Sequence, residues 1–173
     1  MTEKQEKILE AALQLFAEQG YAATSTSKVA KVAGVSEGLI FRHFKNKEGL
    51  LEAIFETVAE RTKAIFADIV LSTDPEEVIS KALEMPFMID PGEYRVWRLT
   101  YAMKWQVQNY SREKVEPLKL AVKNAFDKLG YENPDAESEL ILMQLDGAAT
   151  AILLHEPDNK MEILKCLKAK YNL

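Results

Sequence analysis

Proline is missing from the first 74 residues of this chain and then recurs at Pro75, Pro86, Pro91, Pro117, Pro134 and Pro157. Inside a helix, proline removes a backbone donor and clashes with the preceding turn. The early stretch is therefore free to run as uninterrupted helices, while the later stretch is cut into pieces of helical length. Apolar residues recur at three- and four-residue spacing, and period-two runs of β-branched and aromatic residues are missing. The chain reads as all-α, with about nine helices.

Local chemistry sets the boundaries. A first helix from about Glu3 to Glu18 carries Ile8, Ala12, Leu15 and Phe16 on one face and stops at Gly20. A short second helix is capped by Ser25, turns Val29, Ala30 and Ala33 inward, and breaks at Gly34. A third begins after Ser36 as its cap and places Ile40 and Phe44 one turn apart. The fourth, from about Lys47 to Val70, would span roughly 36 Å, long enough to connect two cores. Asp74-Pro75-Glu76-Glu77 sets cap, N1 proline and first-turn acids in order for a helix ending near Glu84. After an apolar loop at Met85–Pro91, a helix is expected over Gly92–Asn109. Another runs from the cap Ser111 to Leu129, with a kink or late start at Pro117. The last two cover Pro134–His155 and Asn159–Tyr171.

With 173 residues, 47% of them hydrophobic, and only 7 glycines, the chain has apolar mass for one domain or two small ones, and it is neither disordered nor collagen-like. A single cysteine, Cys166, cannot form an internal disulfide, which suits a reducing compartment. Met1–Glu10 lacks a signal-like apolar core, and no run approaches the roughly 18 apolar residues of a membrane span. A cytoplasmic protein with no membrane association is expected.

The net charge of −5 hides an uneven distribution. Between Tyr21 and Leu50 stand Lys28, Lys31, Arg42, Lys45 and Lys47 against Glu37 and Glu48, a local +3 that leaves −8 on the rest. A basic island on an acidic body is the footprint of local phosphate contact. The island coincides with two short helices joined at Gly34, with the small Ala30 four residues earlier. That is helix-turn-helix logic: glycine reverses the chain and a small side chain lets the helices cross closely. An ordinary helical hairpin has the same hinge, so the outward face decides. Gly38, Leu39 and Arg42 are assigned to one exposed side of the third helix, followed by Lys45 and Lys47. Gly38 permits close approach to a duplex, Leu39 suits a thymine methyl, and Arg42 suits a guanine or a phosphate. Lys47 starts the long helix, where free N–H groups also favour phosphate.

The run TSTSKVAKVAGVSEGLIFRHFKNKEGLLEAIF, preceded by ILEAALQLFAEQGYAATS, resembles the N-terminal domain of the TetR family of bacterial transcriptional repressors from about Ile8 to Phe55. The resemblance implies a DNA-binding helix-turn-helix domain over residues 1–46 and a C-terminal regulatory and dimerisation bundle over 47–173, with helix 47–70 as connector. It implies a homodimer on a palindromic operator in double-stranded DNA, usually released by a small-molecule effector. DNA contacts carry over to Thr26 and Ser27, to Glu37, Gly38, Leu39, Phe41, Arg42 and His43, and to Lys47; the basic Lys45 is added to that set. The family often has tyrosine where this chain has Phe41, so a phenolic bond to phosphate is lost and packing is left. Glu37 admits two readings: an acceptor for a cytosine amino group, or a first-turn acid favoured by the helix dipole. His43 either touches phosphate or fills a gap between helices.

In the C-terminal half, Pro134–His155 is apolar nearly all round, and Gly147, Ala148 and Ala151 permit close helix approach. Leu140, Met143, Gly147, Ala148, Ala151 and Ile152, with Ile163, Leu164 and Leu167 of the last helix, form a candidate four-helix dimer seam. The alternative is that both helices complete a monomeric core. Trp97, Tyr101, Met103 and Trp105 lie on or beside the stripe of Gly92–Asn109. With Phe66, Phe87 and Phe126 they are candidates for an apolar or aromatic effector site, set against the commoner reading of core. Asp146 interrupts the apolar helix at a seam or pocket edge.

Catalysis finds little support. His43 and His155 lie far apart with no metal-binding pairing, and phosphate-loop, nucleophile-elbow and dinucleotide motifs are missing. No enzyme, cofactor or metal is expected. A ligand-responsive repressor is the principal reading, and a dimeric protein-binding adaptor without effector is the alternative. The adaptor gives Arg42, Lys45 and Lys47 no purpose.

Overall fold

The computed structural model describes residues 1–104 and 115–173. Its helices are α1 (Glu3–Gln19), α2 (Thr26–Ala33), α3 (Glu37–Phe44), α4 (Lys47–Leu71), α5 (Pro75–Glu84), α6 (Tyr94–Met103), α7 (Glu116–Lys128), α8 (Pro134–His155) and α9 (Lys160–Ala169), with a 3-10 turn at Pro91–Glu93. Among the described residues no strand occurs, and no helix is long and apolar enough to cross a membrane. Two compact units emerge: residues 1–61 with the described part of 92–106, and residues 62–91 with the described part of 107–173.

The first unit is built on α1. Thr2 and Gln5 form a capping box, the Gln5 N–H donating to Thr2 Oγ1 at 3.3 Å and the Thr2 N–H to Gln5 Oε1 at 2.8 Å. Gly20, at φ 86°, ends the helix in a region side-chain-bearing residues avoid. The buried face of α1 is Ile8, Ala11, Ala12, Leu15 and Phe16, and against it pack Val29 and Ala30 of α2, Ile40 of α3, and Leu50, Leu51 and Ile54 of α4. Ile8, Phe16, Ile40 and Leu50 are each at most 2% exposed, and burial of such a side chain contributes roughly 1.5–3 kcal/mol. Leu99 and Met103 of α6 complete this core. Met103 is thus spent on packing with α1–α4, and a helix 50 residues downstream of α3 finishes the N-terminal unit.

Two expected details differ. Ser36 has the extended backbone of a cap, but its hydroxyl makes no capping hydrogen bond; its carbonyl oxygen accepts from the Leu39 N–H at 3.0 Å. Helix Gly92–Asn109 begins as a 3-10 turn and becomes α-helical at Tyr94, and its expected end lies outside the described residues, as do Ser111 and Trp105.

In the second unit, Asp74 caps α5 by accepting from the Glu76 N–H at 3.0 Å, with Pro75 in the first turn. Helix α7 takes the late start, with Pro117 in its first turn, where the missing N–H costs nothing. The helices α5, α7 and α8 pack together and α9 joins α5. Their interior includes Ile79, Leu83, Val122, Phe126, Ile141 and Leu153. Phe126 is met edge-on by Tyr131 at 4.7 Å and by the tilted ring of Tyr171 at 5.8 Å. Lys168 pairs with Glu84, tying α9 to α5, and Lys119 bridges α7 to Glu139 of α8 at 2.7 Å.

Candidate nucleic-acid interface

Helices α2 and α3 owe their crossing to a glycine turn. Ser25 Oγ accepts from the Lys28 N–H at 3.2 Å at the start of α2. At its end Gly34 adopts φ 66°, ψ 34°, and the Val35 N–H donates back to the Ala30 carbonyl at 3.0 Å. This closing motif needs a left-handed residue, which glycine supplies without strain. The loop before α2 is anchored by buried Thr24, whose hydroxyl donates to the carbonyls of Gly20 at 3.0 Å and Leu15 at 3.3 Å.

Of the candidate contacts on α3, Gly38, Phe41, Arg42, His43 and Lys45 are exposed, whereas Leu39 is half-buried and packed against the core. This corrects the expected outward face: Leu39 follows Ile40 inward, and the exposed row is Gly38, Phe41, Arg42 and Lys45, at helical spacings of three and four. Phe41 is 48% exposed, so the ring assigned to packing stands in solvent. A Cβ added at Gly38 would meet nothing within 4 Å, so this position of the row borders open space. Among the described residues Arg42 and Lys45 hold no ion pair, leaving both charges available. His43 points elsewhere: its Nδ1 lies 3.4 Å from Gln5 Nε2 of α1.

On α2, Ser27 is exposed, while Thr26 is half-buried and its hydroxyl donates to Glu37 Oε1 at 2.7 Å. Lys47 is half-buried as well. Its ammonium donates to the Tyr21 carbonyl at 3.1 Å and the Ala22 carbonyl at 3.4 Å, and it stands 4.4 Å from the Tyr21 ring centroid. An ammonium has three donors, so one is left for a phosphate.

The α3–α4 junction contains features that the sequence reading passed over. Lys45 sits at φ 68°, ψ −51°, and the Asn46 N–H donates to the Phe44 carbonyl at 2.8 Å, a γ-turn of the strained, positive-φ kind. Asn46 Oδ1 accepts from the Gly49 N–H at 2.7 Å, capping α4; an asparagine just before an apolar-periodic run is the signal that would have found it. Next to the junction an open cleft of about 620 Å³ is lined by His43–Asn46 and by Glu48, Glu52, Glu56 and Glu60, one carboxylate per turn of α4. Carboxylates in series repel a polyanion, so the α4 wall of this cleft is unsuited to DNA, whereas the row through Gly38 and Arg42 carries no such series.

The remaining candidates fall in both units. Trp97, Tyr101 and Met103 belong to the first; Phe66, Phe87 and Phe126 belong to the second, where Phe87 and Phe126 are buried. Trp97 Nε1 donates to Glu93 Oε2 at 3.5 Å, and Lys104 Nζ stands 3.9 Å from the Tyr101 ring centroid. Of the seam candidates, Leu140, Met143, Gly147, Ala151 and Ile163 are exposed and Ala148 and Leu167 half-buried, whereas Ile152 and Leu164 are buried inside their own unit. Asp146 is exposed on α8. Among the described residues no group of three or more His, Cys, Asp or Glu is placed to hold a metal ion.

Residues 8–54 match the model of a protein family described as bacterial regulatory proteins, tetR family. The uncharacterized HTH-type transcriptional regulator YvkB of Bacillus subtilis (strain 168) is 56% identical over 48 residues, covering 28% of this chain and 25% of that protein. A fatty acid metabolism regulator protein of the same organism is 29% identical over 122 residues, covering 70% of this chain and 63% of its own. The chain thus spans between a quarter and just under two thirds of these relatives. The solved structure of the fatty acid degradation regulator FadR from Bacillus halodurans superposes with a TM-score of 0.74 at 22% identity, over 98% of this chain and 94% of that one, a likeness of fold.

Proposed function

Because this chain belongs to the tetR family of bacterial regulatory proteins, we propose that it is a sequence-specific transcriptional regulator acting as a homodimer on a palindromic operator, where α3 reads the major groove. The observation that carries the reading is the exposed row Gly38, Phe41, Arg42 and Lys45, with two uncommitted cations on a helix held by a glycine turn. Arg42 suits a guanine edge, Lys45 and Lys47 suit phosphates, and Phe41 suits a thymine methyl. Exposed Ser27 and the Thr26–Glu37 pair border the proposed contact region, while Leu39 supports it from the core side and His43 is turned toward α1. A protein working on the chromosome in this way acts in the cytoplasm and needs no catalytic group.

The action is repression relieved by a small apolar or aromatic effector bound by the part of the chain that follows the helix-turn-helix. The relatives named for fatty acid metabolism suggest an effector with a long apolar chain. Such a ligand shifts operator affinity only by its unequal affinity for two arrangements of the dimer. The test is binding of the full chain to DNA selected from random sequence, measured over a salt series with and without candidate acyl effectors. A steep fall of affinity with salt is expected. Arg42→Ala weakens binding and relaxes preference at one position per half-site. Failure to bind duplex DNA at low salt would overturn the reading, and indifference to every effector would remove the effector from it.

A further inference from the structure

Glu37 is an unusual residue to place where a polyanion docks. It is the first residue of α3, the end from which a reading helix touches base edges, and it is the one acid in that helix. A free carboxylate there would swing away from phosphate or cost affinity. Here it is not free: Thr26, at the start of α2, donates its hydroxyl proton to Glu37 Oε1 at 2.7 Å in a partly buried bond. The bond crosses the helix-turn-helix and fixes the carboxylate relative to the body of the domain. Among the described residues Oε2 accepts no hydrogen bond. Next to it Gly38 is exposed, and a Cβ there would meet nothing within 4 Å, so this neighbour adds no side chain to the approach.

A fixed carboxylate oxygen is an acceptor only. In the major groove guanine offers two acceptors and thymine one acceptor and a methyl group, so neither can satisfy it. Adenine offers an amino donor beside the N7 acceptor, which repels a carboxylate. Cytosine alone offers its N4 amino donor with no acceptor beside it. We propose that Glu37 is a specificity-determining residue that accepts a hydrogen bond from one cytosine amino group in each half-site. Thr26 is its positioning residue: its proton is given to Glu37, not to a phosphate. The inference rests on α3 being the reading helix. It goes further in assigning a base to a residue whose dipole-favoured place at a helix start would otherwise explain it.

The experiment uses the full chain and the operator selected from random DNA by wild type. Affinities of wild type, Glu37→Ala, Glu37→Gln and Thr26→Val are measured for every single-base variant of one half-site at a fixed salt concentration. Wild type is expected to lose about tenfold when one particular C·G pair is replaced. Glu37→Ala becomes indifferent at that pair alone, keeps its other preferences, and binds random DNA more tightly than wild type. Glu37→Gln, which keeps the volume and a partner for Thr26, moves the preference there from cytosine toward adenine, because an amide matches N6 and N7 together. Thr26→Val keeps the cytosine preference but weakens it. An unchanged profile in Glu37→Ala and Glu37→Gln would overturn the proposal, as would a uniform loss at every position. A wild type that selects no sequence would overturn both the proposal and the reading beneath it, and so separates the two failures.

Discussion

The Lys47 ammonium stands 4.4 Å from the centroid of the Tyr21 ring and donates to the Tyr21 carbonyl oxygen at 3.1 Å. The first turn of α4 is thereby fastened to the chain that leaves α1, on the same unit that carries α3. Lys45, two residues earlier, is exposed and makes no such bond. The two lysines should separate in experiment. Lys47→Ala is expected to cost about 1 kcal/mol of stability by urea unfolding, through a lost cation–π contact and hydrogen bonds. Lys45→Ala should leave the unfolding midpoint unchanged and lower the salt slope of DNA binding by about two, one phosphate contact in each half-site. Equal midpoints for both variants would remove the structural role assigned to Lys47.

Tyr21 offers a pH test. Burial raises its hydroxyl to about 12, helped by the nearby negative charge of Glu48 and by the hydrogen bond to that carboxylate at 3.2 Å. The folded state therefore holds this proton more tightly than the unfolded chain, whose tyrosine titrates near 10. Below pH 10 both states are protonated and the stabilising contribution is fully present. Between about pH 10 and pH 12 the unfolded state loses the proton first, so stability falls as pH rises. Urea midpoints of wild type and Tyr21→Phe should run parallel up to about pH 10 and converge or cross above it, since the phenylalanine variant lacks this loss. Parallel curves to pH 12 would contradict the assignment.

Gly49 is required by close approach. A Cβ there would stand 1.9 Å from the Phe44 carbonyl oxygen and 3.0 Å from its carbon, both backbone atoms that cannot step aside. Gly49→Ala must push the start of α4 away from the end of α3, where Lys45 already holds a strained turn. The expected loss is about 1–3 kcal/mol, typical of overpacking, read by thermal unfolding. A variant as stable as wild type would show that the junction gives way without cost.

How much of this was legible beforehand depended on how local the cause was. Gly20, Gly34 and Pro134 through their backbones, and Ser25 and Asp74 through their side-chain oxygens, set helix ends locally, and the structure follows them closely. Ser36 met the same criterion and makes no side-chain cap, because a capping residue type does not fix where its hydroxyl points. Leu39 was misplaced because an eight-residue helix has few apolar positions to define its inner face, and its direction was settled by contact with the core. Placement of Leu99 and Met103 with α1–α4 depends on which core a distant helix joins, and periodicity carries no such information. The Thr26–Glu37 bond was hidden for the same reason, since each residue has a respectable role within its own helix.

The outer face of α8 supports the last prediction. Leu140, Met143 and Leu154 are 45%, 67% and 66% exposed, with the small, exposed Gly147 and Ala151 between them. The buried face of the same helix is already filled by Ile141, Leu145, Ala149 and Ile152. A protomer that leaves such a row open exposes an apolar patch of the kind that marks an interface, and the near-heptad spacing suits a second helix crossing at a shallow angle. Met143→Glu should place two buried, unpaired carboxylates in a twofold seam. Sedimentation is expected to show wild type at twice the 19.6 kDa chain mass and the variant at the chain mass, with helical circular dichroism unchanged. Leu120→Glu, on an α7 side chain that is 56% exposed, should leave the dimer intact and serves as the control for a generic effect of surface charge. The monomeric variant should also lose most operator affinity, because one reading helix contacts one half-site. A Met143→Glu protein that still sediments as a dimer would place the interface on another face.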